Sequence, residues 1–271
     1  MKIITLLLIF VTLSASAQTE KYRLILNDDP ATTGTVAWNQ TAASIGTATI
    51  YYGTEDFGDD WASYPSSQTS DRTSAAQGMN TQFARLKNLV PNTAYYFVLR
   101  NPLTNIISTR YFFKTLPNDQ SRLSFVAGGD SRTDGTPDVI ANRQARLNAN
   151  ITVSKLKPHA VLFGGDFTFG DTPNEWDYWL NDWQLTISEE GQLFGIVAAR
   201  GNHEYVPSTV YDLFDVPSAD AYYAMTFGND LVRIYTLNSE ISVAGDQAEW
   251  LKNDLEMNSS KNCWTFAQYH T

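Results

Sequence analysis

An all-β sandwich followed by an α/β domain is the fold that this sequence predicts, and a change of rhythm near residue 116 is what predicts it. Between residues 21 and 114, short alternating runs at 22–26, 34–38, 48–52, 82–86, 95–100 and 108–114 read as strands. Turn residues punctuate them at Asn27-Asp28-Asp29-Pro30, Pro91-Asn92 and Asn101-Pro102. Short strands at this density with no helical window make a small β-sandwich. Past the linker Leu116-Pro117-Asn118-Asp119, strands alternate with helices, and such alternation calls for helices that cover a sheet.

Each element has its own signal. The span 55–79 is rich in Ser, Thr, Asp and Gln and reads as a long loop or a ragged sheet edge. In the second half, strands are expected at 123–127, 160–163 and 195–199, with helices at 140–155 and 174–187 between them. Strands 222–227 and 231–237 pair as a hairpin through Gly228-Asn229-Asp230, and a helix at 246–257 and a strand at 263–268 follow. Trp176, Trp179, Leu180 and Trp183 recur at helical spacing, which marks a core-facing stripe.

Composition narrows the function. Lys2, the apolar run 3–13 and Ala15-Ser16-Ala17 before Gln18 have the form of a secretory signal peptide over 1–17. The run is too short for a membrane span, so an exported, secreted or periplasmic protein without stable membrane insertion is expected. That leaves domains at 18–116 and 120–271. The formal net charge of −10 argues against nucleic acid as a partner. The single cysteine, Cys263, excludes an intramolecular disulfide, and its neighbours Trp264 and Phe266 favour a buried thiol over a reactive one.

Three strands of the second half end in glycines followed by polar groups: Gly128-Gly129-Asp130-Ser131-Arg132, Gly164-Gly165-Asp166-Phe167-Thr168-Phe169 and Gly201-Asn202-His203-Glu204. His270 follows a fourth strand. Open α/β sheets bind ligands at the carboxyl ends of their strands, and carboxylate, amide and imidazole together suit Zn, Fe or Mn. One carboxylate shared by two ions roughly 3.5–4 Å apart makes a clamp for attack on phosphorus, with Asp166 the candidate bridge. His159 precedes its strand instead of following it and reads as a satisfied surface histidine. Arg132 reads equally as a bidentate phosphate clamp and as an ion-pair partner of Asp134 or Asp138. Tyr205, Tyr211, Tyr222 and Tyr223 either line a substrate pocket or are ordinary packing.

The set resembles the calcineurin-like metallophosphoesterases, and residues 21–271 look like a purple acid phosphatase. Leu86-Lys87-Asn88-Leu89-Val90-Pro91-Asn92-Thr93-Ala94-Tyr95 resembles the corner segment of fibronectin type III domains, which makes Tyr95 and Tyr96 core and corner residues. The resemblance implies a four-layer αββα sandwich in the second domain, incomplete at its C-terminus because no Gly-His-x-His motif follows His270 before Thr271. It implies that Asp130, Asp166, Asn202 and His270 ligate two divalent or trivalent ions of Fe, Zn or Mn. It implies that His203 sits beside the phosphate and stabilises charge or protonates the leaving oxygen, with Glu204 orienting it. Arg132, Asn202 and His203 would bind substrate, a small phosphate ester hydrolysed by a metal-bound hydroxide. Phe169 stands where the family has a tyrosine ligand, so no purple charge-transfer band is expected. The alternative is a non-catalytic binding protein on a decayed phosphoesterase fold.

Overall fold

The computed structural model describes residues 18–41, 46–133 and 139–271, so the expected signal peptide at 1–17 lies outside the described residues. The first half is a sandwich of two sheets. One runs β4 (Ser66–Gln68), β3 (Thr49–Gly53), β7 (Ala94–Arg100), β8 (Tyr111–Lys114), and the other β5 (Arg72–Ala76), β6 (Met79–Leu86), β2 (Gly34–Gln40), β1 (Thr19–Ile25). Trp38, Ile50, Phe83, Phe97 and Phe113 are buried in its core. Tyr95 holds the corner, its hydroxyl accepting the Val90 N–H at 2.9 Å. The polar span 55–79 resolves into a 3-10 turn at Trp61–Ser63 and the edge strands β4 and β5, whose composition hid them because edge strands present many of their side chains to water.

The second half supplies β9 (Phe125–Gly128), α1 (Val139–Leu156), β10 (Ala160–Phe163), α2 (Pro173–Trp183), β11 (Gly195–Ala198) and α3 (Thr209–Phe214). It continues with β12 (Tyr223–Phe227), β13 (Val232–Thr236), α4 (Asp246–Asn258) and β14 (Trp264–Gln268). Strands β9, β10 and β11 are parallel, and their outer neighbour is β1 of the sandwich, paired in register Leu24↔Gly195 and Ile25↔Ile196. One seven-stranded sheet, β5-β6-β2-β1-β11-β10-β9, thus carries strands from both sides of residue 116.

Four layers follow from the contacts across the second half. Helix α2 begins at a capping box, with Thr172 and Glu175 exchanging hydrogen bonds and Pro173 in the first turn. It ends at Trp183, earlier than its sequence signal, in a 3-10 turn at Gln184–Thr186. Its stripe of Trp176, Trp179, Leu180 and Trp183 is buried as expected, with Trp179 edge-on to Phe163 of β10. On the opposite face lies the sheet β12-β13-β14. Period-two alternation turns Tyr223 and Phe227 inward, the Tyr223 hydroxyl reaching the Ala198 carbonyl at 2.8 Å and the Phe227 ring meeting Phe125. Arg233 and Tyr235 face outward onto α4 through Asp254 and Trp250. The order is α1 and α2, large sheet, small sheet, α4.

Cys263 corrects one expectation, because it is exposed. Trp264 and Phe266 beside it are also more than half exposed. All three lie at or in β14, which is an outer strand of its sheet; apolar neighbours on such a strand do not mark an interior.

A buried ion cluster ties α1 to α2. Asp182, whose side chain is 3% exposed, accepts from Arg146 Nη2 at 2.6 Å and Arg143 Nη2 at 2.7 Å. Removing one partner of a buried pair strands the other charge. Asp182→Ala is therefore expected to lower the unfolding free energy by about 3–5 kcal/mol. A urea titration reads this, and a loss within error of zero would show that the cluster does not hold the helices together.

Candidate metal and catalytic site

The site begins with two loops that touch. Gly165, after β10, adopts φ +94°, and a Cβ there would lie 2.6 Å from the Gly201 nitrogen. A Cβ on Gly201 would in turn lie 2.2 Å from Asp166 Oδ1. Glycine at both positions lets the ends of β10 and β11 close on each other. Asp130 and Asp166 both occupy the left-handed region, at φ +51° and +55°, and the Asp130 N–H donates to the Gly165 carbonyl at 3.0 Å. Three successive loops are fixed to one another before any side chain is considered.

Glu204 locks them. Its carboxylate is fully buried and accepts the backbone N–H groups of Phe167 at 2.9 Å, Asp166 at 3.0 Å and Gly201 at 2.8 Å. Burial pushes its carboxyl up to about 7, with the three amides opposing that shift. Sequence reading gave Glu204 the task of orienting His203, but the groups on His203 Nδ1 are the Phe169 carbonyl at 2.5 Å and the Tyr205 hydroxyl at 3.2 Å. A backbone carbonyl has no sequence signal, so this partner could not have been read from the chain.

Asp166 is the centre of the constellation and is fully buried. Its Oδ1 accepts the His203 N–H at 3.0 Å and lies 3.3 Å from His270 Nε2. Its Oδ2 takes Nη1 of Arg132 and lies 4.0 Å from His203 Nε2. The same Nη1 reaches Asp130 Oδ1. His270 is buried, and its Nδ1 bonds the Gly164 carbonyl at 3.0 Å, which fixes the proton on Nδ1 and leaves Nε2 as the free donor atom. Ligand atoms of Asp130, Asp166 and His270 all lie within 4.8 Å of one another. Three oxygen and imidazole donors so placed fit a Zn, Mn or Fe ion.

The other expected residues are placed as follows. Asn202 is exposed on the turn after β11. Arg132 pairs with Asp130 and Asp166; its other expected partners, Asp134 and Asp138, lie outside the described residues. Phe169 places its ring 5.0 Å from that of His203. Of the four tyrosines, Tyr205 reaches the site, while Tyr222 packs on Trp250, Tyr223 is buried and Tyr211 lies under the Arg72 guanidinium. His159 is satisfied, its Nδ1 accepting the Ser124 N–H at 3.0 Å. Sequence reading missed Asp171, whose carboxylate takes Trp176 Nε1 and the Val206 N–H, each at 2.7 Å, and so steadies the segment after His203.

Comparison with known proteins now bears on this geometry. Residues 19–115 match the family model of the purple acid phosphatase N-terminal domain. A purple acid phosphatase isolated from yellow lupin (Lupinus luteus) seeds shares the fold over 92% of this chain and 50% of its own, with a TM-score of 0.68 and 18% identity. PhoD shares it over 93% of this chain and 62% of its own, with a TM-score of 0.61 and 11% identity. The chain thus spans about half the length of the lupin purple acid phosphatase. No curated protein matches it in sequence. The family match covers the sandwich, and the likeness of fold to the two solved structures extends over 92% and 93% of the chain.

Because Glu204 serves three amides, its loss acts on the loops. Glu204→Gln replaces one acceptor oxygen by an NH₂ group facing an amide donor. The expected cost is about 1–3 kcal/mol of unfolding free energy, measured by thermal or urea denaturation. An unchanged stability would mean that the loops do not depend on this carboxylate.

Proposed function

We propose that this protein is an exported, metal-dependent phosphoesterase that hydrolyses small phosphate esters. The observation that carries the reading is the buried Asp166 carboxylate at the carboxyl ends of parallel strands, with His270 Nε2 on one oxygen and a guanidinium and His203 Nε2 on the other. The family match of the sandwich and the fold shared with a purple acid phosphatase and PhoD support it. So does the signal-peptide pattern at 1–17. Among the described residues no helix is long and apolar enough to cross a membrane.

Asp166 and His270 would hold the metal, with Asp130 within reach and Asn202 supplying its amide oxygen from the neighbouring turn. When bound, the metal supplies Lewis acidity toward a phosphoryl oxygen and lowers the pKa of water toward about 7. The chain's own groups do the rest. His203 gives Nδ1–H to the Phe169 carbonyl, so Nε2 is the nitrogen aimed at the site, and in the imidazolium it carries the proton that reaches the departing ester oxygen. Asp166 steadies that cation through Oδ2. Arg132 adds fixed positive charge for the phosphoryl group. In a protein of net charge −10, Arg132 together with the metal, when bound, would supply the local positive charge that an anionic substrate needs.

His203→Ala is expected to lower turnover of an aryl phosphate by 10²–10⁴-fold, the usual contribution of a positioned acid, while leaving bound metal in place. Chelation followed by dialysis is expected to abolish turnover, and re-addition of Zn, Mn or Fe to restore it. Full activity of the alanine variant would overturn the acid role. Purification without metal and without turnover would instead favour a binding protein on this fold.

A further inference from the structure

Asp166 is divided between two sides, and different chemistry meets each oxygen. On the Oδ1 side stands His270 Nε2, with its other ring nitrogen tied to the Gly164 carbonyl. On the Oδ2 side stands Nη1 of Arg132, which also takes Asp130 Oδ1, with His203 Nε2 4.0 Å away. A guanidinium stays protonated, has no lone pair to offer a metal and matches carboxylates through fixed N–H donors. A guanidinium held between the two carboxylates engages Asp130 Oδ1 and Asp166 Oδ2, and a metal ion in the same space would meet its like charge.

The position of Arg132 is built into the fold. Its neighbour Ser131 is held at both ends: the carbonyl accepts Arg146 Nη1 at 2.9 Å, and Oγ accepts Trp179 Nε1 at 2.8 Å. Arg146 and Trp179 are themselves buried and anchored in α1 and α2. The Asp130 backbone is held by the Gly165 carbonyl. The strand-end loop therefore delivers the guanidinium between the two carboxylates from a braced backbone, while Phe169, the nearby ring that contacts His203, contributes no oxygen donor.

We propose that the Arg132 guanidinium takes the place of one of the two metal ions, so that the site holds a single ion on the Asp166 Oδ1 and His270 side and a permanent organic cation on the Asp166 Oδ2 and Asp130 side. This rests on the metal-dependent reading above and specifies it: one metal and one guanidinium flank the phosphoryl group. Asp130 then serves as a positioning residue that holds Arg132, not as a metal ligand. The cation on that side needs no loading and is not removed by chelators.

The test is metal stoichiometry on the full-length protein, stripped with chelator, titrated with Mn(II) alone and analysed by elemental content and electron paramagnetic resonance. The wild type is expected to take up one equivalent with an uncoupled manganese spectrum, and Arg132→Ala to take up a second equivalent with the spin coupling of a close pair. Two coupled ions in the wild type would overturn the substitution of metal by arginine and leave the phosphoesterase reading intact. One ion in both proteins would also overturn it, because the guanidinium would then not be what excludes the second. No ion in either would overturn both readings. Should Arg132→Ala fail to fold, Asp130→Asn decides the matter: an unchanged single equivalent of unchanged affinity supports the proposal, and loss of the ion overturns it by placing Asp130 in the metal's coordination shell.

Discussion

Three backbone amides converging on the buried carboxylate of Glu204 are the constraint on which the site depends. Without them the loops after β10 and β11 would be joined by the bonds of His203 to Asp166 and Phe169 and by glycine contacts that leave no room for error: a single Cβ on Gly201 would strike Asp166. The carboxylate converts a steric tolerance into a fixed distance. It also satisfies donors that the tight loop conformation removes from water. Asp166 can then be fully buried, because its own N–H is already partnered and its side chain is left for cationic groups and His203.

The same logic of buried acids organises the rest of the molecule. Asp182 joins α1 to α2, and Asp171 joins the start of α2 to the segment after His203. Asp215 joins α/β half to sandwich, accepting both Arg85 Nη2 at 2.6 Å and Arg72 Nη1 at 3.3 Å. Together with the parallel pairing of β1 and β11, that ion cluster makes the sandwich a continuation of the sheet that carries the candidate site. A mechanical consequence is that the strand carrying His203 is flanked on one side by the strand of Asp166 and on the other by a strand of the N-terminal unit.

Positive charge is scarce in this acidic chain and is placed with economy. Arg132 stands where the two exposed and buried aspartates of successive loops converge, braced through Ser131 by residues of both covering helices. The helices that cover the sheet thus also set the electrostatics at its end. His203 and His270 each spend one ring nitrogen on a backbone carbonyl, so the nitrogen that each presents to the site is decided by main-chain geometry.

The sequence by itself determined the two-part architecture, the alternation of strands and helices, the aromatic face of α2 and the residues gathered at the strand ends. These follow from local rules: periodicity, turn chemistry and glycine before a polar residue act over a few positions, so Asp130, Asp166 and His203 were legible without coordinates. Only the tertiary structure decided who touches whom among them. Arg132 found Asp166, 34 residues away, in addition to Asp130. Glu204 turned from His203 to three amides, and His203 turned to a carbonyl of Phe169. Cys263 stayed outside, and β1 crossed to β11. The physical reason is that backbone N–H and C=O groups are the same in every residue, so the bonds that orient a side chain depend on which main-chain segment folding brings beside it, and that is written in no local pattern.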